Sequence, residues 1–363
     1  MDNDDKIVKA VSDFLEAIKP KRDKVMAMFL GIAIGDALGM PVETLTAEQI
    51  AKKYGRITDY IQPDENTWFT GWPAGRWTDD TQLTIAIAES LIAKGVIDLD
   101  DMAKRQIQAM HECDVGWGGS TKKSLQRIET GVNRLESGNP LGAGNGIPMK
   151  VAPLAVYYNL PGTNFYEDAS IYPISELALM THKSDMAIMS GIAQVLTLMH
   201  CLEFNPNKWQ FLFKPGFGIQ LYLLEAIVEK LYETTLPFSR LDKDIVRRLG
   251  ALQKNTVGCY DWDKLKKMTP GQTADFFGGA TCFVYNSLPF TYAMFLKNPW
   301  SIETLYDTVN AGGDTDTNGS MVGALLGALN GMQIFPQHLI DSLWQKDVVI
   351  SVAERFCDKF ELN

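Results

Sequence analysis

Four carboxylates stand in two short acidic segments far apart in this 363-residue sequence. The first is Thr78-Asp79-Asp80-Thr81, followed at once by the apolar run from Leu83 to Ile92. The second is Gly312-Gly313-Asp314-Thr315-Asp316-Thr317-Asn318-Gly319, followed by the small-residue run from Met321 to Leu329. Each sets hydroxyls and carboxylates at the entrance to an apolar helix. Helix capping is the ordinary use of such residues, since a side-chain oxygen there accepts from orphan N–H groups and contributes about 1 kcal/mol. Capping needs one acceptor per helix, however, and here there are two carboxylates in each segment. Brought together against apolar helices they would repel and raise one another's pKa, a conflict that a divalent cation removes. The donors are all oxygen, which favours hard ions such as Mg, Mn or Ca over zinc or copper. Four aspartates carry charge enough for two ions sharing a bridging carboxylate, an arrangement that activates water and clamps a substrate.

The elements that must position these groups are helical. Apolar residues recur at helical spacing over Lys24–Leu38, Thr81–Ala93, Met102–His111, Glu176–Phe204, Leu221–Glu233, Asp242–Gln253, Phe283–Leu296, Ile302–Asn310 and Ser320–Asn330. Ile7, Val8, Val11, Phe14, Leu15 and Ile18 predict a further N-terminal helix closed by Pro20. Alternation of Val, Ile and Thr over strand-length windows is scarce. The expected class is all-α, a single compact multi-helix bundle. Turn residues concentrate at Pro63–Gly75, Gly116–Gly119, Gly138–Pro148, Asn205–Gly218 and Gly258–Gly279, and no linker divides the chain. One domain over 1–363 is expected, with an N-terminal helical extension over 1–23 and a variable elaboration over about 203–272.

Composition excludes several classes of function. The net charge is −10, with no basic run, so nucleic acid is not expected as the primary partner. Met1 to Asp5 is acidic and lacks the apolar core of a signal peptide. Val25 to Met40 is apolar but interrupted by Gly31, Gly35, Asp36 and Gly39, and reads as too short and broken to span a bilayer. Five scattered cysteines without a CxxC pair suggest reduced thiols. A cytoplasmic monomer, with no membrane contact, is the expectation.

Several motifs in order make the sequence recognisable. Gly31-Ile-Ala-Ile-Gly35-Asp36-Ala-Leu-Gly39-Met-Pro-Val-Glu43 resembles the opening of the ADP-ribosylglycohydrolase family, which includes ADP-ribosylarginine and ADP-ribosylserine hydrolases and dinitrogenase reductase-activating glycohydrolases. Trp77-Thr78-Asp79-Asp80-Thr81 follows, then Gly144-Asn145-Gly146 with Met149 and Pro153-Leu154, then Thr181-His182, then Gly312 to Thr317. The resemblance runs from about Val25 to Gly331 and is poor near Glu203–Gln272. It implies an all-α fold with a two-metal cleft holding Mg or Mn. Matching positions put Thr78, Asp79 and Asp80 on one ion, Asp314 and Thr317 on the other, and Asp316 between them.

The resemblance further implies release of ADP-ribose from a protein or small molecule. Glu43 falls beside the scissile bond as acid/base or ribose-orienting group, with Asp114 as its rival. Gly144, Asn145 and Gly146 offer backbone N–H groups suited to a pyrophosphate or ribose. Met149 and His182 belong to family motifs, and Trp117 is placed either to stack on adenine or ribose or to fill the core. Where the family commonly has arginine after Met149 this chain has Lys150, which keeps the charge but loses the bidentate fork. The acceptor favoured is arginine; serine, an acetyl ester and a nucleobase stay open. A catalytically silent ADP-ribose binder and a phosphohydrolase acting on the pyrophosphate are the alternatives.

Overall fold

Two helices with almost no side chain between them form the centre of the molecule. The computed structural model describes residues 20–163, 168–204 and 262–363. The N-terminal helix expected over Ile7–Ile18, and those over Leu221–Glu233 and Asp242–Gln253, lie outside the described residues. In chain order the helices are α1 Arg22–Gly39, α2 Ala47–Tyr54, α3 Asp79–Lys94, α4 Leu99–Glu112, α5 Gly119–Glu129, α6 Arg134–Ser137, α7 Ala152–Tyr158 and α8 Asp168–Leu179. They continue with α9 Asp185–Glu203, α10 Trp262–Lys267, α11 Pro270–Phe276, α12 Val284–Lys297, α13 Glu303–Val309, α14 Thr315–Asn330, α15 Gln337–Asp341 and α16 Lys346–Lys359. The described residues contain only isolated β-bridges, Thr46 with Gly312, Asn139 with His182 and Gly144 with Phe283, so the fold is all-α.

Helices α1 and α14 meet along a seam of residues four apart, the spacing that lines one face of a helix. A Cβ on Gly31 would overlap the carbonyl of Gly323, one on Gly35 that of Gly319, and one on Gly39 that of Thr315. The reverse holds for Gly319, Gly323 and Gly327, which face the carbonyls of Gly35, Gly31 and Ala27. The Thr315 hydroxyl donates to the Gly39 carbonyl at 2.7 Å and closes the seam at its lower end. Both helices are buried nearly all round.

The surrounding helices wrap this pair. Helix α16 packs on α1 through Phe29 and Phe356, whose rings lie 5.5 Å apart. Helix α9 is tied to the start of α1 by Lys24, whose Nζ donates to the carbonyls of Cys201 (2.8 Å), Leu202 (3.1 Å) and Phe204 (2.7 Å). A cation on the last carbonyls of a helix satisfies acceptors that have no partner within the helix. Among the described residues two segments could cross a membrane by length and composition, Arg22–Val42 and Asp185–Glu203, but 94% and 83% of their apolar windows are buried inside the fold. The first of these is longer than the interrupted apolar run suggests, because its glycines are helical seam positions rather than breaks.

Two expectations need correction. The helix expected over Glu176–Phe204 is two helices, α8 and α9, separated by Met180–Ser184. Thr181 and His182 leave the helical path because Asn139 receives a backbone bridge there, Asn139 N–H to Thr181 O and Lys183 N–H to Asn139 O. The segment Gly258–Gly279, read as a loop, carries α10 and α11, the latter opened by a Thr269–Gln272 capping box.

The seam predicts an asymmetric response to adding one methyl group. Gly35→Ala should destabilise the protein by about 3 kcal/mol, because its Cβ meets backbone that cannot rotate away. Gly119→Ala, at the open start of α5 where a Cβ meets nothing within 4 Å, should stay within about 0.5 kcal/mol. Paired denaturant titrations check this; equal midpoints would contradict the seam.

Candidate active site

The two acidic segments meet where α1, α3 and α14 converge. Thr317 Oγ1 donates to Asp80 Oδ2 at 3.2 Å, joining the first segment to the second across 237 residues of sequence. Asp79, Asp80, Asp314 and Asp316 are all buried. Neither Thr78 nor Asp314, the N-cap residues of α3 and α14, makes a side-chain capping bond, so capping does not explain these residues. Thr315, Asp316 and Thr317 form the first turn of α14 itself rather than a preceding loop.

The capping work at α3 is done from another helix. Asp36, wholly buried in α1, accepts from Thr78 N–H (2.9 Å) and Thr78 Oγ1 (2.9 Å), and from Thr81 N–H (3.1 Å) and Thr81 Oγ1 (2.6 Å). A carboxylate at a helix N-terminus is favoured by the orphan N–H groups and the helix dipole. Asp36 therefore holds the Thr78–Asp80 turn against α1. Sequence reasoning gave it no role; the available signal was a lone aspartate at a helical position with apolar residues on both sides. Thr78, expected as a metal ligand, spends its hydroxyl proton on Asp36 and keeps its lone pairs.

Glu43 reaches the cluster from a strained turn. Thr44, which follows it, has φ 70°, a conformation that a β-branched residue seldom adopts. It is held by a reciprocal pair of backbone bonds, Thr44 N–H to Gly313 O (2.7 Å) and Gly313 N–H to Leu45 O (2.8 Å). Gly312 and Gly313 themselves have φ 79° and 85°, which glycine tolerates without cost from a side chain. The result brings carboxylate oxygens of Glu43, Asp314 and Asp316 within 4.8 Å of one another.

The electrostatics follow from that convergence. Burial, and then Asp314, Asp79 and Asp36, push the Glu43 carboxyl up to about 8. Burial and then the neighbouring Asp36 raise Asp79 to about 7. Asp80 and Asp316 are raised well above the usual carboxylate range, by burial first and then by the other carboxylates. Asp314 is raised by burial, with hydrogen bonds from Asn145 and Thr317 opposing the shift. None of these groups has an ion-pair partner among the described residues, and Asp80 Oδ1 is buried without any hydrogen-bond partner. An unsatisfied buried carboxylate oxygen amid an all-oxygen donor set is what a hard divalent cation fits.

The remaining expected residues are placed differently from one another. Asn145 turns inward: its Nδ2 donates to Asp314 Oδ2 at 2.5 Å and to Ser287 Oγ at 3.1 Å, so it orients an aspartate of the cluster. Gly144 and Gly146 lie over His182, and a Cβ on Gly146 would overlap the imidazole. That ring is buried, bonded through Nδ1 to Thr181 Oγ1 at 2.9 Å, and held neutral with its pKa lowered to about 3 by burial and then by Lys150. Trp117 and Met149 pack together with Leu83, Ala86 and Leu125 in a small apolar cluster, and Trp117 Nε1 donates to Gln82 Oε1 at 3.0 Å. Asp114 is about 40% exposed and ion-paired with Lys122. Lys150 is fully buried with its Nζ on Gln106 Oε1 at 2.9 Å, and its pKa falls to about 7 through burial.

The sequence profile of the ADP-ribosylglycohydrolase family matches residues 18–363. The ADP-ribosyl-[dinitrogen reductase] glycohydrolase of Rhodospirillum rubrum is 23% identical over 325 residues, covering 89% of this chain and 91% of that protein. The ADP-ribosylarginine hydrolase Tri1 of Serratia proteamaculans (strain 568) is 22% identical over 341 residues, covering 92% and 78%. A solved structure described as an ADP-ribosylglycohydrolase-related protein complex shares the fold, with a TM-score of 0.65 at 22% identity, covering 93% of this chain and 98% of that one. With its profile matched over nearly the whole chain, this protein belongs to the ADP-ribosylglycohydrolase family.

Proposed function

We propose that this chain hydrolyses the glycosidic bond between ADP-ribose and the arginine side chain of a modified protein, releasing ADP-ribose. One observation carries the reading: carboxylates from two helix starts and from the Glu43 turn converge in a buried cluster without a direct ion-pair partner among the described residues. Asp79 and Asp80, with the Thr78 hydroxyl, would hold one divalent ion; Asp314, Asp316 and Thr317 would hold the other. Bound there, Mg or Mn would supply Lewis acidity toward ribose hydroxyls and make water more acidic. The protein's own proton-transfer group is Glu43, half-buried beside Asp314 and Asp316. Water adds across the anomeric bond, its hydroxyl going to the ribose carbon and its proton to the departing nitrogen. The arginine acceptor is supported by the relative named for that linkage. The cysteines Cys113, Cys201, Cys282 and Cys357 are all free, which suits a reducing compartment such as the cytoplasm.

The direct test is release of ADP-ribose from arginine-modified protein with Mg or Mn. Asp316→Ala should lower release at least about 100-fold, since even outer partners of metal ligands are worth 10–100-fold. Glu43→Gln should lower kcat about 100-fold or more while ADP-ribose binding is largely kept. AMP as the product would replace this reading with pyrophosphate hydrolysis, and tight binding without product would make the chain a silent binder.

The raised carboxyls also predict how stability varies with pH. Between the ordinary carboxylate range and their native values, the folded protein binds more protons than the unfolded chain, so its stability falls as pH rises. EDTA-treated protein should melt lower at pH 8 than at pH 5. Saturating Mg or Mn at 100 times its Kd should restore roughly 5 °C at pH 8, and less at pH 5 where protons compete. A melting temperature indifferent to both ions at pH 8 would argue against a metal site.

A further inference from the structure

Next to the carboxylate cluster, on the outer side of the Glu43 turn, lies an open groove of about 920 Å³. Its inner wall is Thr44, adjacent in sequence to Glu43, and Gly313, adjacent to Asp314. The groove therefore begins at the residues that flank two carboxylates of the cluster in sequence. Its volume exceeds what one side chain fills and is at the upper end for a small-molecule pocket.

The chemistry of its walls sets the sign of what it takes. Two helix N-termini open on it, those of α2 and α11, and such ends ordinarily attract anions. Both are closed here by capping boxes, Gln49 N–H on Thr46 Oγ1 and Gln272 N–H on Thr269 Oγ1, with each glutamine side chain returning to the cap N–H. The charged side chains on the wall are Glu48, Asp275, Asp307 and Arg56. Arg56 is already occupied by Glu303 (2.7 Å) and Asp307 (2.8 Å). Glu48 and Asp275 are exposed and have no ion-pair partner among the described residues. Net negative charge with closed helix ends favours a cationic occupant.

We infer that this groove is the acceptor subsite, and that it receives the polypeptide around the modified residue, preferring segments with lysine or arginine next to the ADP-ribosylated side chain. The inference rests on the glycohydrolase reading above. It assigns acceptor selection to α2 and α11, neither of which supplies a carboxylate to the cluster. Exposed charge pairs are individually weak, so the expected preference is modest and salt-sensitive.

The experiment compares three substrates at low ionic strength with Mg: free ADP-ribosylarginine, a peptide carrying ADP-ribosylarginine flanked by lysines, and the same peptide flanked by glutamates. The lysine-flanked peptide should show kcat/KM about 10-fold above the glutamate-flanked one, a gap that 0.5 M NaCl closes. Glu48→Lys with Asp275→Lys should invert the order, and Glu48→Gln with Asp275→Asn should erase it. Both double variants should keep the melting temperature of the parent protein, which reports that they fold. Equal kcat/KM on the two peptides, untouched by either double variant, while free ADP-ribosylarginine is cleaved, overturns the subsite. No release from any of the three, free ADP-ribosylarginine included, removes the arginine-hydrolase reading itself and the subsite with it.

Discussion

The site depends on how closely two helical backbones approach. Asp36 lies on α1, and Asp316 and Thr317 open α14, so the distance between those helices fixes the separation of the groups at their ends. Six glycines, Gly31, Gly35 and Gly39 on α1 and Gly319, Gly323 and Gly327 on α14, bring the distance down to backbone contact. Glycine inside a helix costs roughly 0.5–1 kcal/mol relative to alanine at each position. A chain built for stability alone would fill the seam with larger side chains. Here a rigid, uniquely registered pair holds charged groups that repel one another.

That repulsion is handled in two ways. Asp36 is satisfied entirely by protein donors, two N–H groups and two hydroxyls, and can be a permanent part of the scaffold. The other carboxylates are not satisfied in this way, as Asp80 Oδ1 shows. A buried carboxylate without a partner is costly, and a fold keeps several together only when something outside the chain compensates. One anion anchors the α3 N-terminus, which leaves the next two free for other chemistry.

Much of this was legible in the sequence, and the parts that were not share a cause. The two acidic segments, the all-α class and the bounds of α1, α3, α12 and α13 follow from local pattern, since apolar periodicity and the residues that begin helices are local signals. Asp36 as the cap of α3 was hidden, because its partners are 42 and 45 residues away and no local rule joins them. The break between α8 and α9 was hidden for the same reason: the apolar pattern runs straight through Met180–Ser184, and only the bridge from Asn139 interrupts it. Gly144 and Gly146 read as a cradle for a ligand. In the fold they also make room for the His182 ring, a use that spacing alone cannot separate from the first. Lys150 read as a charge without an arginine's bidentate fork, and the fold buries it fully with its Nζ on Gln106.

The Glu43 turn joins these themes. Its neighbour Thr44 occupies a left-handed conformation that costs on the order of 1–3 kcal/mol and persists only where the surroundings over-determine it. The surroundings are the paired backbone bonds to Gly313 and Leu45, which tie the turn to the segment carrying Asp314. Glu43 is thus positioned by backbone, not by packing of its own side chain. That leaves one carboxylate oxygen set facing Asp314 and Asp316 while the next residue, Thr44, already lines the open groove. The strain places a single turn at the boundary between a buried charge cluster and an exposed acidic channel. On the reading proposed above, a proton-transfer group gains from that boundary, since its inner side tunes its acidity and its outer side offers the departing guanidine a way out.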